Sequence, residues 1–466
     1  MNRLQLPRIA LLALAFCVPS QATELSDVAA SLQPGQWAEL TTSNFNSATL
    51  ADGGAFSVFW FSEDIAWDPE RGQLLFVGGG HGSDAEFVTY TESTNSWTRT
   101  KPQGSQWHES FSHAYDHLAL IPSLDRLYFR QPASDHVDVL EIYDIPSGTW
   151  SRSARMPSRP ECCGAVEYFP ELGGLVSIAG PGPILLYTPS ANSWRQLAPG
   201  SQIGDYHNFA QHSPVHRVLI FGGGEGANGR ELYRMNSRGQ LTHLGDAPQR
   251  MGQTYSVVTT DPVRGAFLVF FDTAAYSFNP VTDTWTPLPG PPWRTLGTAG
   301  IFNVVATPVP ERGVILFAKY AGDDSRVYLY RHSPPSASPT VSLDANPESV
   351  AAGGFSVLSW NTSRADDCEG YGGAPSWPGA KPVPASSENA GPLTATTSFG
   401  LSCSGPGGAD HRDVTVDVQG AAPAPTPIPP TPPTPAPQAS SSGGGVFDWL
   451  GLALLASAAA RRARNH

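Results

Sequence analysis

A proline followed by a short apolar run returns six times in this 466-residue chain. The copies read DPERGQLLFV, IPSLDRLYFR, FPELGGLVSI, SPVHRVLIFG, DPVRGAFLVF and VPERGVILFA, with the prolines at Pro69, Pro122, Pro170, Pro214, Pro262 and Pro310. Their separations are 53, 48, 44, 48 and 48 residues. A second marker follows each run. An aromatic stands seven residues before a tryptophan in Tyr90 and Trp97, Tyr143 and Trp150, Tyr187 and Trp194, and Phe278 and Trp285. The fourth unit keeps Tyr233 but has Gln240 at the tryptophan place.

A repeat of this length needs one supersecondary unit that buries its faces against its neighbours. Apolar positions at the spacing of a helix are missing, which argues against a helical solenoid. Only 15% of residues are charged, and 47 Gly and 44 Pro punctuate the chain, as suits short strands joined by turns. Each unit reads as four strands. The first ends at the proline turn, the second is apolar on both faces, the third carries the aromatic and the fourth starts at the tryptophan. The sixth unit, residues 299–333, lacks its tryptophan strand, whereas GQWAELTT, residues 35–42, stands alone before the first unit. The expected fold is therefore all-β: a six-bladed β-propeller over residues 23–334, closed by the N-terminal strand. The glycine-ended strands, the tyrosine and the tryptophan strand resemble kelch repeats, and the blade count is similar to the kelch and galactose-oxidase-like propellers.

Equal distances before the turn prolines mark equal heights on the first strands. Seven residues before them stand Ser62, Tyr115, Cys163, His207, Tyr255 and Asn303; six before stand Glu63, Asp116, Gly164, Asn208, Ser256 and Val304. This is a polar collar at one mouth of the central channel. Glu63, Tyr115, Asp116, His117, His207, Asn208 and Tyr255 are its candidate ligand-binding residues, set against the alternative that a wet channel mouth is polar anyway. WHESFSHAYDH, residues 107–117, feeds the same collar and offers His and carboxylate groups, but its spacing matches no metal motif, so no metal or cofactor is expected. Resemblance to copper-radical oxidases on such propellers stops at Tyr206 and His207, because no second histidine begins a first strand. Adjacent Cys162 and Cys163 would form either a vicinal disulfide or a pair of thiols.

SPPSASPTV leads through a linker, residues 335–339, to a segment of alternating strands, residues 340–419. Cys368 and Cys403 there would staple a small core beside Trp360. SVAAGGFSVLSW and GPLTATTSFGLSCSGPGG resemble bacterial immunoglobulin-like domains, which implies a small β-sandwich acting as a spacer. Residues 420–442 are a proline-rich stalk. Residues 443–466 begin with Gly443, Gly444 and Gly445, continue as a short apolar run and end with Arg461, Arg462 and Arg464. This resembles the GlyGly-CTERM sorting tail of Gram-negative bacteria, which implies transient inner-membrane contact, cleavage by a rhomboid-type protease and delivery to the cell surface or medium. A plain transmembrane anchor is the alternative.

At the other end, residues 1–22 read as a signal peptide cut between Ala22 and Thr23, which implies the export machinery as a partner. The net charge of −13 argues against nucleic acid as a partner. The chain is thus expected to be an exported binding module for an extracellular glycan or protein. The alternative is an enzyme acting on carbohydrate or a small polar molecule at the channel mouth.

Overall fold

The computed structural model describes residues 23–51, 57–79, 86–100, 113–131, 136–160, 162–272, 274–293, 303–321, 325–373, 376–405 and 407–419. The signal segment before Thr23, the stalk, the glycines at 443–445 and the arginines at 461, 462 and 464 lie outside them. Among the described residues no helix is long and apolar enough to cross a membrane.

The repeat region folds into four-stranded antiparallel sheets, here called I to VI in chain order. Their first strands are Ala66–Asp68, Leu118–Ile121, Ala165–Phe169, Asn208–Ser213, Ser256–Thr260 and Val304–Val309. Each first strand touches that of the next sheet, and the one in sheet VI touches the one in sheet I. Parallel bridges between Ser62 and Tyr115, Asp116 and Ala165, and Asp64 and Ala306 tie these neighbours together. The architecture is a β-propeller, with the first strands around a common axis.

Local chemistry explains why the period is so regular. Pro122, Pro170 and Pro310 each open a single helical turn, where a fixed φ is an advantage and a missing N–H is no loss. Each turn ends on a left-handed residue, Asp125, Gly173 or Gly313, and the chain reverses into the second strand. The second strands Gly174–Ile178, Val218–Gly223, Phe267–Phe271 and Val314–Lys319 are buried along their whole length, sandwiched between neighbouring sheets. The aromatic and the tryptophan of a unit face each other across the third and fourth strands. Tyr90 pairs with Trp97, Tyr143 with Trp150, Tyr187 with Trp194 and Phe278 with Trp285, with ring centroids 4.5–5.3 Å apart.

Sheet VI has no fourth strand of its own. Gln36–Glu39, from the start of the chain, occupies that place beside Arg326–Arg331. It brings the missing tryptophan: Trp37 lies opposite Tyr330, stacked at 4.5 Å. The same segment then bonds to sheet I, where Trp97 Nε1 donates to Thr42 Oγ1 and the Ser43 N–H to the Asn95 carbonyl. The front of the chain thus ties sheet VI to sheet I.

Two features differ from the sequence-based expectation. In sheet IV the residue opposite Tyr233 is His243, not Gln240, at a ring distance of 4.9 Å. The strand carrying Tyr233 runs on to Asn236, whose side chain holds a turn that Gln240 closes; pairing starts at Leu241 and reaches Tyr233 at His243. Ahead of the N-terminal strand, Glu24–Ser31 forms a helix capped by the Thr23 side chain, with Leu25 and Ala29 buried.

After the propeller come two sheets around one core. Thr340–Asn346, Gly354–Ser363 and Ala385–Leu393 make one; Ser349–Ala351, Gly408–Gln419, Thr397–Gly405, Asp367–Gly372 and Gly379–Lys381 make the other. Strand Gly354–Ser363 alternates strictly between buried and exposed residues, as a half-covered sheet requires. Cys368 and Cys403 face each other in register and are bonded, next to Trp360 and Trp377 in the shared core. This unit touches the proline-turn end of the propeller. Arg217, in the turn of sheet IV, pairs with Asp367 and lies 3.5 Å from Glu369, which also takes a hydrogen bond from Ser237. The turn Pro170–Leu172 packs against the strand Asp367–Gly372. The starts of the first strands form the opposite end.

Candidate functional site at the propeller mouth

At that opposite end the two predicted tiers separate sharply. The residues six before each proline point into the protein. Glu63 Oε1 accepts the backbone N–H of Val258, from sheet I to sheet V. Asp116 Oδ2 accepts the N–H of Ala210 at 2.6 Å, from sheet II to sheet IV. Asn208 accepts from Gly180 and donates to the carbonyls of Gly204 and Gly223. Gly164 cannot carry a side chain, because a Cβ there would lie 2.0 Å from the Ile178 carbonyl oxygen. His117 is fully buried, with both ring nitrogens engaged by Arg130 through its carbonyl and its guanidinium. Four of the seven candidate ligand residues, Glu63, Asp116, His117 and Asn208, are therefore committed to internal contacts. The innermost strands of a propeller leave N–H groups facing the axis, and these side chains satisfy them.

Burial raises the carboxyls of Glu63, Asp116 and the neighbouring Glu167 well above their ordinary range, and like charge adds to it: Asp116 acts on Glu63, and Asp64 on Asp116 and Glu167. The Asp64 carboxyl is pushed up to about 7, again chiefly by burial. His117 is pushed well down, by burial first and by the Arg130 cation second.

The tier seven before each proline is mixed: Ser62, Tyr115 and Cys163 are buried, whereas His207, Tyr255 and Asn303 keep some surface at the rim. Tyr115, Cys163 and His207 occupy equivalent positions in sheets II, III and IV, and all three have left-handed backbones, with φ of 51°, 67° and 62°. Phe61 in sheet I has φ 52°. Such angles are unfavourable for residues with a Cβ, and they cluster where surrounding structure imposes them. The rings form a wall. Phe61 stacks on His207 at 5.5 Å, Tyr115 lies 5.6 Å from His207, and His113 sits 4.7 Å from Phe61 and 5.5 Å from Tyr115. Trp60 packs on His113 at 5.2 Å.

A polar set adjoins the wall. His207 Nδ1 lies 2.6 Å from Thr254 Oγ1 and 3.3 Å from Glu225 Oε1. Tyr255 donates its hydroxyl to Glu225 Oε2 at 2.6 Å, and Arg250 lies over the Tyr255 ring at 5.7 Å. A hydrogen on His207 Nδ1 would serve Glu225, whose carboxylate can only accept, while the nearer Thr254 hydroxyl can act as donor or acceptor. Burial lowers its pKa and outweighs the opposing pull of Glu225, so the ring is neutral at pH 7. Burial works against the ionised Glu225 carboxyl, but hydrogen bonds from Tyr255, His207 and Thr254 hold it below its ordinary value.

Sequence spacing placed His207, Tyr115 and Tyr255 at this rim but missed Phe61, Glu225, Thr254 and Arg250. Glu225 had a signal: it directly follows the glycine triplet 222–224. Those glycines exist for close approach; Gly223 has φ 66°, and a Cβ on it would lie 2.5 Å from the Met251 carbonyl oxygen. A residue after such a tight bend is delivered to the rim. Among the described residues no group of three or more His, Cys, Asp or Glu is arranged to hold a metal ion; His108 and Glu109 lie outside them.

No protein-family model matches the chain, and no curated protein matches it. Among solved structures, a protein of unknown function from Bacteroides thetaiotaomicron VPI-5482 is similar at 12% identity, covering 63% of this chain and 75% of its own, with a TM-score of 0.46. A chain of a nidogen/laminin complex is similar at 10% identity, covering 53% and 89%, with a TM-score of 0.38.

Proposed function

We propose that this protein is an exported, surface-displayed binding module whose propeller mouth holds an extracellular glycan. On this reading the propeller is six-bladed and of kelch type, closed by the strand around Trp37 and raised on an immunoglobulin-like spacer, a proline stalk and a sorting tail. The repeat period, the cyclic contacts of the first strands and the paired disulfide cysteines support it. One observation carries the glycan assignment: a wall of flat rings, Phe61, Tyr115 and His207, beside fixed donors and acceptors on Glu225, Thr254, Tyr255 and Arg250. Sugar rings offer an apolar C–H face and a polar hydroxyl edge, and a site of this composition meets both.

Binding to an array of immobilised oligosaccharides tests the proposal. His207→Ala removes one panel of the wall and the partner of Thr254 and Glu225. It is expected to weaken retention of the best oligosaccharide by about tenfold, the equivalent of one buried contact of ~1.4 kcal/mol. No retention by wild type, or equal retention by the variant, overturns it.

The linked set Tyr255, Glu225 and His207 favours a second reading, an acid–base enzyme on the same carbohydrate. A carboxylate orients a neutral imidazole through Nδ1, leaving Nε2 to take a proton. Release of shorter oligosaccharides from a retained glycan, lost in His207→Ala but not in Cys368→Ser/Cys403→Ser, would establish it; an intact glycan after prolonged incubation excludes it.

A further inference from the structure

The rim holds one group that is neither a ring nor a hydrogen-bonding side chain. Cys162 and Cys163 are joined by a disulfide between adjacent residues. Cys163 shares its register and its left-handed backbone with Tyr115 and His207, on the sheet between theirs. Both carbonyls tie into a neighbouring sheet: that of Cys163 accepts the N–H of Asn208 in the following sheet at 3.2 Å, and that of Tyr115 accepts the N–H of Glu63 in the preceding one at 3.2 Å. Three consecutive sheets thus present Tyr115, the disulfide and His207 at one height. Cys162 is half-buried and keeps surface at the rim, whereas Cys163 packs inward. A disulfide has no N–H or O–H to donate, and its sulfurs are polarizable and apolar.

We propose that the Cys162–Cys163 disulfide is a panel of the binding wall, contacting the C–H face of a pyranose between Tyr115 and His207. This rests on the glycan reading of the mouth. The apolar panel favours a pyranose whose hydroxyls are all equatorial, because its face then shows only C–H groups; an axial hydroxyl would meet sulfur with no partner. Breaking the bond removes the panel. A dithiol reagent supplies two electrons and two protons, leaves two cysteine thiols and itself becomes a cyclic disulfide. The opened side chains take new rotamers and two weakly polar S–H groups replace the closed ring.

The test uses the full chain and the array oligosaccharide that wild type retains most strongly, with an epimer carrying one axial hydroxyl. Cys162→Ser/Cys163→Ser is expected to lose about tenfold in affinity for the all-equatorial sugar, as for one buried apolar contact, and less for the epimer. A purely structural role would lower both alike, which would overturn the proposal, as would an unchanged affinity. If the variant does not melt cooperatively, mild dithiol treatment of wild type decides. The Cys368–Cys403 bond, with both residues fully buried, remains oxidised by mass and serves as the control. Affinity lost on reduction and regained on reoxidation supports the panel; affinity indifferent to reduction overturns it. Wild type retaining no oligosaccharide overturns the glycan reading and the panel together, whereas wild-type binding with an unaffected variant overturns the panel alone.

Discussion

Trp37→Ala is expected to lower the unfolding free energy by about 2–4 kcal/mol, somewhat less than the loss of a fully buried aromatic because the ring is half-buried. The reason lies in where the ring sits. Trp37 touches Tyr330, Phe317 and Tyr328 within sheet VI, and Phe270 of sheet V and Trp293 beyond it, at centroid distances of 4.5–6.4 Å. One side chain therefore packs the fourth strand onto its own sheet and that sheet onto its neighbour. The strand itself is only Gln36–Glu39, and the antiparallel pairing at Trp37 is the sole pairing its tryptophan can make. Without the ring, the four-residue strand holds by its backbone bonds, the Glu39–Arg326 ion pair and the packing of Ala38 and Leu40, and the edge of sheet VI opens more readily. Denaturant unfolding followed by circular dichroism measures the loss. Trp37→Phe, which keeps a ring opposite Tyr330, should recover more than half of it. An alanine variant as stable as wild type would mean that the N-terminal strand is ornamental to the propeller.

The place of Trp37 is legible in the sequence because the pattern Tyr–six residues–Trp is a cross-strand pair written into one chain, and the last unit lacks its second half. The exception shows why the pattern works. In sheet IV the strand runs three residues past its tyrosine before turning, against one in sheet I, so counting seven residues lands on Gln240 at the end of the turn while His243 takes the paired position. The mouth was legible in height but not in direction. Spacing from the prolines put Glu63 and His207 one register step apart, and a step of one reverses the face of a strand. Which face meets the axis depends on neighbouring sheets: Glu63 finds the Val258 amide, and His207 finds Thr254 and Glu225. Those partners lie up to 195 residues away, a separation no local motif encodes. Glu225 escapes the proline spacing because its signal is of another kind: the close-packed glycines 222–224 deliver the residue that follows them to the rim.

The carboxyls of Glu63 and Asp116, both buried, and of half-buried Asp64 and Glu167 make the second large effect one of pH. Glu63, Asp64, Asp116 and Glu167 all have folded-state pKa values above their ordinary ones, with burial the leading cause for each. A group raised in this way keeps its proton in the folded protein after the unfolded chain has lost it. Its contribution is fully present below about pH 4, the unfolded value, and is lost as pH rises through the folded value, about 7 for Asp64 and well above the ordinary range for the others. Stability from this cluster therefore falls between pH 5 and pH 8. Asp116→Asn isolates the effect. Its amide oxygen still accepts the Ala210 N–H, but the site no longer titrates, and Glu63 and Glu167 lose a like charge. The variant should gain on wild type steadily from pH 5 to pH 8, by melting temperature or denaturant midpoint, so that the difference between them, not either curve alone, carries the signal. Asp116→Ala removes the same titration but leaves the Ala210 amide buried without an acceptor, so it should run about 1–3 kcal/mol below Asp116→Asn at every pH. A constant difference between Asp116→Asn and wild type across that range would show that these carboxyls are ionised in the fold, and that the axis of the propeller is wet enough to keep them so.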